Sequence, residues 1–282
     1  NHILEMIAAG GPLAATLDEL AREIERQAPG MISSVLLLDE EGVHLRHGAA
    51  PNLPAAYVRS IDGVAIGEGV GSCGTAAWRR TQVIVENIDA DPLWANYRAL
   101  ALQHGLRACW STPIIDTSGA VLGTFALYYH RTARPTAYHI QLIEHATHTA
   151  AIAITRHRQE EALRAERDFA RTVIDTMGEG LSVTDAEGRL TYVNAAFAGM
   201  LGEQPEDLLG RDALECVVAE ERALLERVVA DRQQGVSSYY DIHLRGVDGR
   251  ETPVQVSGVP RQRNGQYLGA IAVLTDLTER RR

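Results

Sequence analysis

The sequence predicts an α+β fold in two domains with mainly antiparallel sheets, joined by a long helix. Three observations lead there. At ~150 residues per domain, a chain of 282 residues can build two cores. In both parts, short apolar runs bounded by Gly, Asp and Asn are interspersed with stretches of helical periodicity, the pattern of helices packed on hairpin-built sheets. Between them, residues 136–177 contain neither Gly nor Pro, which reads as one uninterrupted helix.

From the N-terminus, Ile3, Ile7, Leu13, Leu17, Leu20 and Ile24 fall at mostly helical spacing, and Gly10, Gly11 and Pro12 break them into two helices or a kinked one. Ile32–Leu38 and Val43–His47, separated by Asp39-Glu40-Glu41-Gly42, read as a hairpin. Further strands are expected at Gln82–Glu86, Ala108–Ile115 and Val121–Tyr129. The last two are joined by Asp116-Thr117-Ser118-Gly119, which has the residues of a tight turn. Helices are expected near Pro54–Ile61, Gly74–Arg80 and Leu93–His104.

The long helix is polar in its middle: eight of the fourteen residues from Thr155 to Asp168 are Arg, Asp or Glu, and Glu160 stands one turn before Arg164. Leu163, Ala170 and Met177 recur every seven residues, with Val173 and Ile174 beside them, so a parallel seam between two copies competes with a solvated rod. This sets the expected division into a first domain over 1–154, a helical linker over 155–168 and a second domain over 169–282. After Gly178, strands are expected at Leu181–Thr184, Leu190–Val193, Ser237–Arg245, Glu251–Gly258 and Tyr267–Leu274. Helices are expected at Asn194–Leu201, Glu206–Leu209 and Ala219–Gln233.

Composition narrows the function classes. All 27 basic residues are Arg, set against 37 acidic ones for a net charge of −10, and an acidic surface is a poor match for nucleic-acid phosphates. No run of about 18 apolar residues is present and no secretion-signal layout opens the chain. Cys73, Cys109 and Cys216 are odd in number and widely spaced, unlike a disulfide scaffold or a metal knuckle, so a reducing cytoplasm is the expected compartment. There is no Walker loop, nucleophile elbow or paired-carboxylate constellation, and no enzyme is expected.

Residues 67–129 carry GSCGTAAW, VIVENIDADPLW, GLRACWSTPI and GAVLGTFALYY in that order. This resembles a GAF domain of bacterial signalling proteins, over roughly residues 3–156. Residues 168–282 resemble a PAS domain, through DTMGEGLSVTDAEGRLTYVNAAFAGMLG, then EDLLGRD, then VDGRETPVQVSGVPRQRNGQYLGAIAVLTDLTERRR. For each, the resemblance implies a five- or six-stranded antiparallel sheet flanked by helices, with a small molecule often held between sheet and helices. It further implies a sensory input module that binds a small molecule or redox signal and relays it through a helical, dimeric linker to an output domain such as a histidine kinase or diguanylate cyclase. Asn194 matches the PAS asparagine that ties a strand to the following helix. Asp276-Leu277-Thr278 resembles the signature that hands over to a signalling helix, which makes the chain an input fragment.

Candidate ligand contacts follow. Cys73 lies in Gly71-Ser72-Cys73-Gly74 at a helix start, where amide groups lower a thiol's pKa; the alternative is a small buried hydrophobe at a tight turn. On a strand Cys109 and Trp110 point to opposite faces, so one of them is expected to line a pocket. Arg107 with Trp94 and Trp110 would suit an anionic or planar ligand, against the alternative of plain core tryptophans. The cofactor is left unknown. The helix expected at Leu93–His104 has no cysteine for a covalent bilin, Gly210-Arg211 is followed by Asp212-Ala213 rather than the cysteine of a flavin adduct, and a chain without lysine departs from the cyclic-nucleotide signature. Haem needs an axial ligand, for which His104 and His243 are the candidates. His145 and His148, at i and i+3, lack a third metal ligand. A free methionine sulfoxide reductase, related by fold, has a cysteine near the place of Cys73, but this chain lacks the acidic segment that would carry the attacking thiolate. The open alternatives are a chromophore- or haem-binding photoreceptor or gas sensor, and a ligand-free dimerisation scaffold.

Overall fold

The computed structural model of the chain describes residues 2–278 and separates into two compact units, Asn1–Leu163 and Arg164–Arg282. In the first, Gly10 to Pro12 divide α1 (His2–Ala8) from α2 (Leu13–Gln27), which buries Leu17, Leu20, Ala21 and Ile24 on one stripe. The strands are β1 (Ile32–Leu38), β2 (His44–Ala49), β3 (Val64–Ala65), β4 (Val83–Val85), β5 (Ala108–Ile115) and β6 (Val121–Tyr129). They form one antiparallel sheet in the order β3-β2-β1-β6-β5-β4. Helices α3 (Ala55–Ile61), α4 (Gly71–Arg79) and α5 (Arg98–Gln103) complete it. The turn between β5 and β6 is held by Asp116, whose carboxylate accepts from the Ser118 and Ala120 N–H groups and from the Ser118 hydroxyl.

The helix expected over Leu93–His104 is broken instead. A 3-10 turn at Pro92–Trp94, started by the Asp91 side chain accepting from Leu93 N–H, comes before α5. Burial of the Trp94 indole draws this turn inward, and α5 restarts only at Arg98.

Helix α6 (Ala137–Thr176) is 40 residues long. Its first half buries Leu142, Ile143, Ala146, Ala150 and Ile154 against the sheet face that also takes α2. Residues 161–173 are all exposed, Phe169 at 70%.

In the second unit β7 (Gly180–Thr184), β8 (Leu190–Val193), β9 (Ser238–Arg245), β10 (Glu251–Arg263) and β11 (Gln266–Asp276) form an antiparallel sheet in the order β8-β7-β11-β10-β9. Helices α7 (Ala195–Leu201), α8 (Pro205–Leu208) and α9 (Arg222–Gln233), with 3-10 turns at Ala213–Cys216 and Ala219–Glu221, cover one face. Strands β10 and β11 run past the expected ends at Gly258 and Leu274. Their ladder continues to Arg263↔Gln266 and closes on Asn264-Gly265, both at positive φ, as a two-residue hairpin turn requires. Polar Arg261, Gln262 and Arg263 hide the strand from apolar periodicity, but the ladder needs only backbone groups.

Asn194 is buried and uses its whole amide. Its Oδ1 accepts from Leu181 N–H (2.8 Å) and caps α7 through Phe197 N–H (3.0 Å), while Nδ2 donates to Glu179 O (2.9 Å) and Ile174 O (3.2 Å). The last turn of α6 is thereby tied to the start of the sheet. At the end of β11, which the ladder sets beside the start of β7, the Asp276 carboxylate accepts from Thr278 N–H at 2.7 Å. The remainder of the handover segment, Glu279 to Arg282, lies outside the described residues.

Two substitutions test this frame. A Cβ at Gly123 would overlap the Leu36 carbonyl across the β1–β6 pair, so Gly123→Ala should destabilise the first unit by about 1–3 kcal/mol. Tryptophan fluorescence during urea unfolding reads that unit alone, because Trp78, Trp94 and Trp110 all belong to it. Asn194→Asp keeps the acceptor but turns an anionic oxygen toward two carbonyls, at a cost of about 1–3 kcal/mol. The ionised form is disfavoured in the folded state, so the loss should grow as pH rises from ~4 to ~7, read by circular dichroism in urea.

Candidate functional site

Alternation along β5 and β6 assigns each side chain to a face. Trp110, Phe125 and Leu127 go to the face covered by α2 and α6, where Trp110 Nε1 donates to Ala133 O at 3.1 Å. Cys109, Ser111, Thr124 and Tyr128 go to the opposite face, the one that meets α4, and Cys109 stands directly opposite Tyr128 in the ladder. That face is unusually polar for a buried surface.

Helix α4 brings Ser72 and Cys73 onto it from its first turn. Ser72 Oγ donates to Cys109 O at 3.0 Å and accepts from Trp94 Nε1 at 3.0 Å, a buried chain linking helix, strand and the 3-10 turn. Cys73 Sγ lies 3.7 Å from Tyr128 Oη, which also receives a hydrogen bond from Ser34 Oγ at 3.3 Å. Between α3, α4 and the sheet is a cavity of about 40 Å³ lined by Tyr57, Cys73, Trp94, Tyr97 and Tyr128 among others, room for a few water-sized groups.

Helix α4 sets Cys73 against the sheet face that carries Cys109. The Cys73 thiol is drawn down to about 7, first by the neighbouring Cys109 thiol and then by the hydroxyls of Ser111, Tyr128 and Thr124, against the opposing effect of burial. Burial pushes Cys109 well up, and the neighbouring Cys73 sulfur adds to this. Ser111 and Thr124 have buried hydroxyls with no other partner, free to turn toward a Cys73 thiolate. The arrangement is a dithiol with one acidic and one protonated member.

The remaining candidates fall elsewhere. Trp94 lines the cavity, but Arg107 is exposed on the segment entering β5 and Trp110 is on the other face, so the Arg–Trp ligand cage expected from sequence does not assemble. His104 meets Tyr57 edge-on and His243 Nδ1 is bonded to Glu221 at 2.9 Å; neither lines an interior cavity, and neither is placed to ligate a haem there. His145 and His148 border an open groove beside α2, and among the described residues no three His, Cys, Asp or Glu gather as a metal site. In the second unit, burial raises Cys216 to about 11, an unreactive thiol, and Arg211 is clamped by both Glu203 oxygens. A second interior cavity, about 60 Å³, lies beneath α9.

Sequence reading singled out Cys73 and Cys109 separately and passed over Ser72, Ser111, Thr124 and Tyr128. The available signal was parity: Cys109 and Ser111 on β5, and Thr124 and Tyr128 on β6, are spaced by even numbers and so share a face.

Comparison with known proteins is consistent along the whole chain. Residues 12–155 match the family model for a GAF domain and residues 174–282 that for a PAS fold. A methyl sulfide methyltransferase-associated sensor of Methanosarcina acetivorans is 31% identical over 284 aligned residues, covering 100% of this chain. The C4-dicarboxylate transport sensor protein of Rhodobacter capsulatus is 33% identical over 45% of this chain. The chain spans 28% of the length of the first relative and 20% of the second. Among solved structures, the GAF domain of an Acinetobacter phosphoenolpyruvate-protein phosphotransferase is 15% identical, with 57% of this chain and 93% of that one covered at a TM-score of 0.45.

Replacing Ser72 with Ala removes the centre of the buried chain and leaves the Trp94 N–H without its partner. The expected cost is about 1–3 kcal/mol, with a shifted tryptophan emission in the folded state, measured by fluorescence-detected urea unfolding.

Proposed function

The chain belongs to the GAF-domain family over residues 12–155 and carries a PAS fold over residues 174–282, and from that premise we propose that its first domain senses redox state through Cys73 and Cys109. A tandem of these domains, with sensor proteins as relatives, is a signal-sensing input module. The observation that carries the redox reading is that α4 sets Cys73 against the face of β5 and β6 bearing Cys109, Ser111, Thr124 and Tyr128, with its sulfur 3.7 Å from Tyr128 Oη, one thiol acidified and the other not.

The oxidant proposed is a hydroperoxide. The Cys73 thiolate attacks the peroxide O–O bond, releasing an alcohol or water and leaving a sulfenic acid on Cys73. The Cys109 thiol then attacks that sulfur, the S–S bond forms and water departs with the Cys109 proton. Two thiols and one hydroperoxide thus give one disulfide, one alcohol or water, and one further water.

A bond between α4 and β5 pulls on the sheet whose opposite face carries α6, which supplies a mechanical route for the signal. In this reading the module is an input device rather than an enzyme, residues 155–168 are the linker between sensor domains, and the output is a histidine kinase or a diguanylate cyclase. Two copies pair along Leu163, Ala170 and Val173 on α6 and Met177 just after it, all exposed. In this reading the chain works in a reducing cytoplasm, which holds the resting pair as thiols.

Treatment of the whole chain with hydrogen peroxide should remove two hydrogens, seen by intact mass, with a Cys73–Cys109 peptide after digestion. Cys73→Ser and Cys109→Ser should abolish the crosslink and Cys216→Ser should keep it. The rate should climb with pH, reach half its maximum near 7 and level off above that as the Cys73 thiolate becomes fully populated. A crosslink that survives either of the first two substitutions, or a rate flat from pH ~5 to ~9, would overturn the assignment.

A further inference from the structure

The cavity of the second unit is walled mainly by apolar side chains, among them Leu190, Phe197, Val256 and Leu274, and one charged residue borders it, Arg232. Arg232 is in the last turn of α9, where an arginine would ordinarily reach into solvent. Its side chain instead turns under the helix and is 5% exposed.

The guanidinium makes two hydrogen bonds, Nε to Ser238 Oγ at 2.8 Å and Nη2 to Tyr240 Oη at 3.3 Å, and lies 5.7 Å from the centre of the Tyr240 ring. Two neutral hydroxyls satisfy part of a five-donor fork. Among the described residues no carboxylate lies within 4.0 Å of it. A buried cation without a counter-ion costs several kcal/mol. The backbone is shaped to accept it all the same: a Cβ at Gly258 would overlap both Nη2 and Cζ, so β10 leaves that place open for the guanidinium.

We propose that this cavity binds a small aliphatic monocarboxylate, its carboxylate paired with Arg232 beside Tyr240 and Ser238, its carbon chain among Leu190, Phe197, Val256 and Leu274. The anion completes the fork and supplies the missing charge. The apolar walls reject a second charge, which excludes dicarboxylates. A volume of about 60 Å³ holds roughly four to six water-sized groups, the size of a three- or four-carbon acid. This site goes beyond the redox reading and does not rest on it, being in the other domain and without a cysteine role.

The test is calorimetry on the whole chain with propionate, butyrate, isobutyrate and pyruvate, against butyramide, succinate and inorganic phosphate. At least one of the four monoacids should bind at least tenfold more tightly than butyramide, succinate or phosphate. Arg232→Met should weaken that acid at least tenfold and leave the ligand-free second unit as stable as before or more so, because it removes an uncompensated charge. Ala272→Leu, which fills the cavity and leaves Arg232 in place, should also abolish binding. Cys73→Ser should bind unchanged, which separates a failure here from a failure of the redox reading. The proposal is overturned if none of the four acids binds, if the amide binds as well as the acid, or if Arg232→Met unfolds the second unit in circular dichroism, which would make the arginine a structural tie.

Discussion

The two-residue period of β5 and β6 is the constraint on which the first domain depends. Consecutive residues on these central strands must serve opposite faces, and the faces do different work. Trp110, Phe125 and Leu127 close the apolar layer under α2 and α6. Cys109, Ser111, Thr124 and Tyr128 present small polar groups to α4. A slip of one residue in register would exchange the two sets, burying hydroxyls under α6 and exposing tryptophan to the cavity. Gly123 helps hold that register, since it permits the β1 backbone to approach where any side chain would collide.

The two interior cavities use contrasting physics. In the first, no charged side chain lines the wall, and the resting state is neutral or carries at most a thiolate stabilised by donors from Cys109, Ser111, Tyr128 and Thr124. Its polarity is distributed and can reorganise by turning hydroxyls. In the second, one permanent cation stands in an otherwise apolar enclosure, and nothing short of a counter-ion can neutralise it. The first is suited to a change of bonding state, the second to occupancy by an anion.

Helix α6 combines two opposite designs in one element. Its first half is anchored by apolar burial, reinforced by Arg158 donating to Leu38 O at 2.6 Å. Its second half carries charge on nearly every turn and leaves Leu163, Phe169 and Val173 in water. At the far end the Asn194 amide grips the Ile174 carbonyl. A segment with so little tertiary packing is held mainly by its own backbone hydrogen bonds and by what it pairs with. Among the described residues of the chain no helix is long and apolar enough to cross a membrane.

What the sequence determined by itself was mostly local. Gly10 to Pro12, Asp116 to Gly119 and Asn264-Gly265 act within a few residues, and they mark breaks and turns that the structure retains. Apolar alternation found most strands, and motif order found both families. Tertiary structure decided what depends on residues distant in the chain. Cys73 and Cys109 are 36 positions apart and become a pair only when α4 lies on β5. Arg107 and Trp110 are neighbours in sequence and part company because one is exposed before the strand and the other is buried on the far face. Arg232 stands at a helix end, where arginines ordinarily reach into solvent, and the gap over Gly258 gives it room to turn inward. Turn chemistry is written in adjacent residues, whereas the environment of a thiol or a guanidinium is a sum over everything packed around it, which no window of sequence contains.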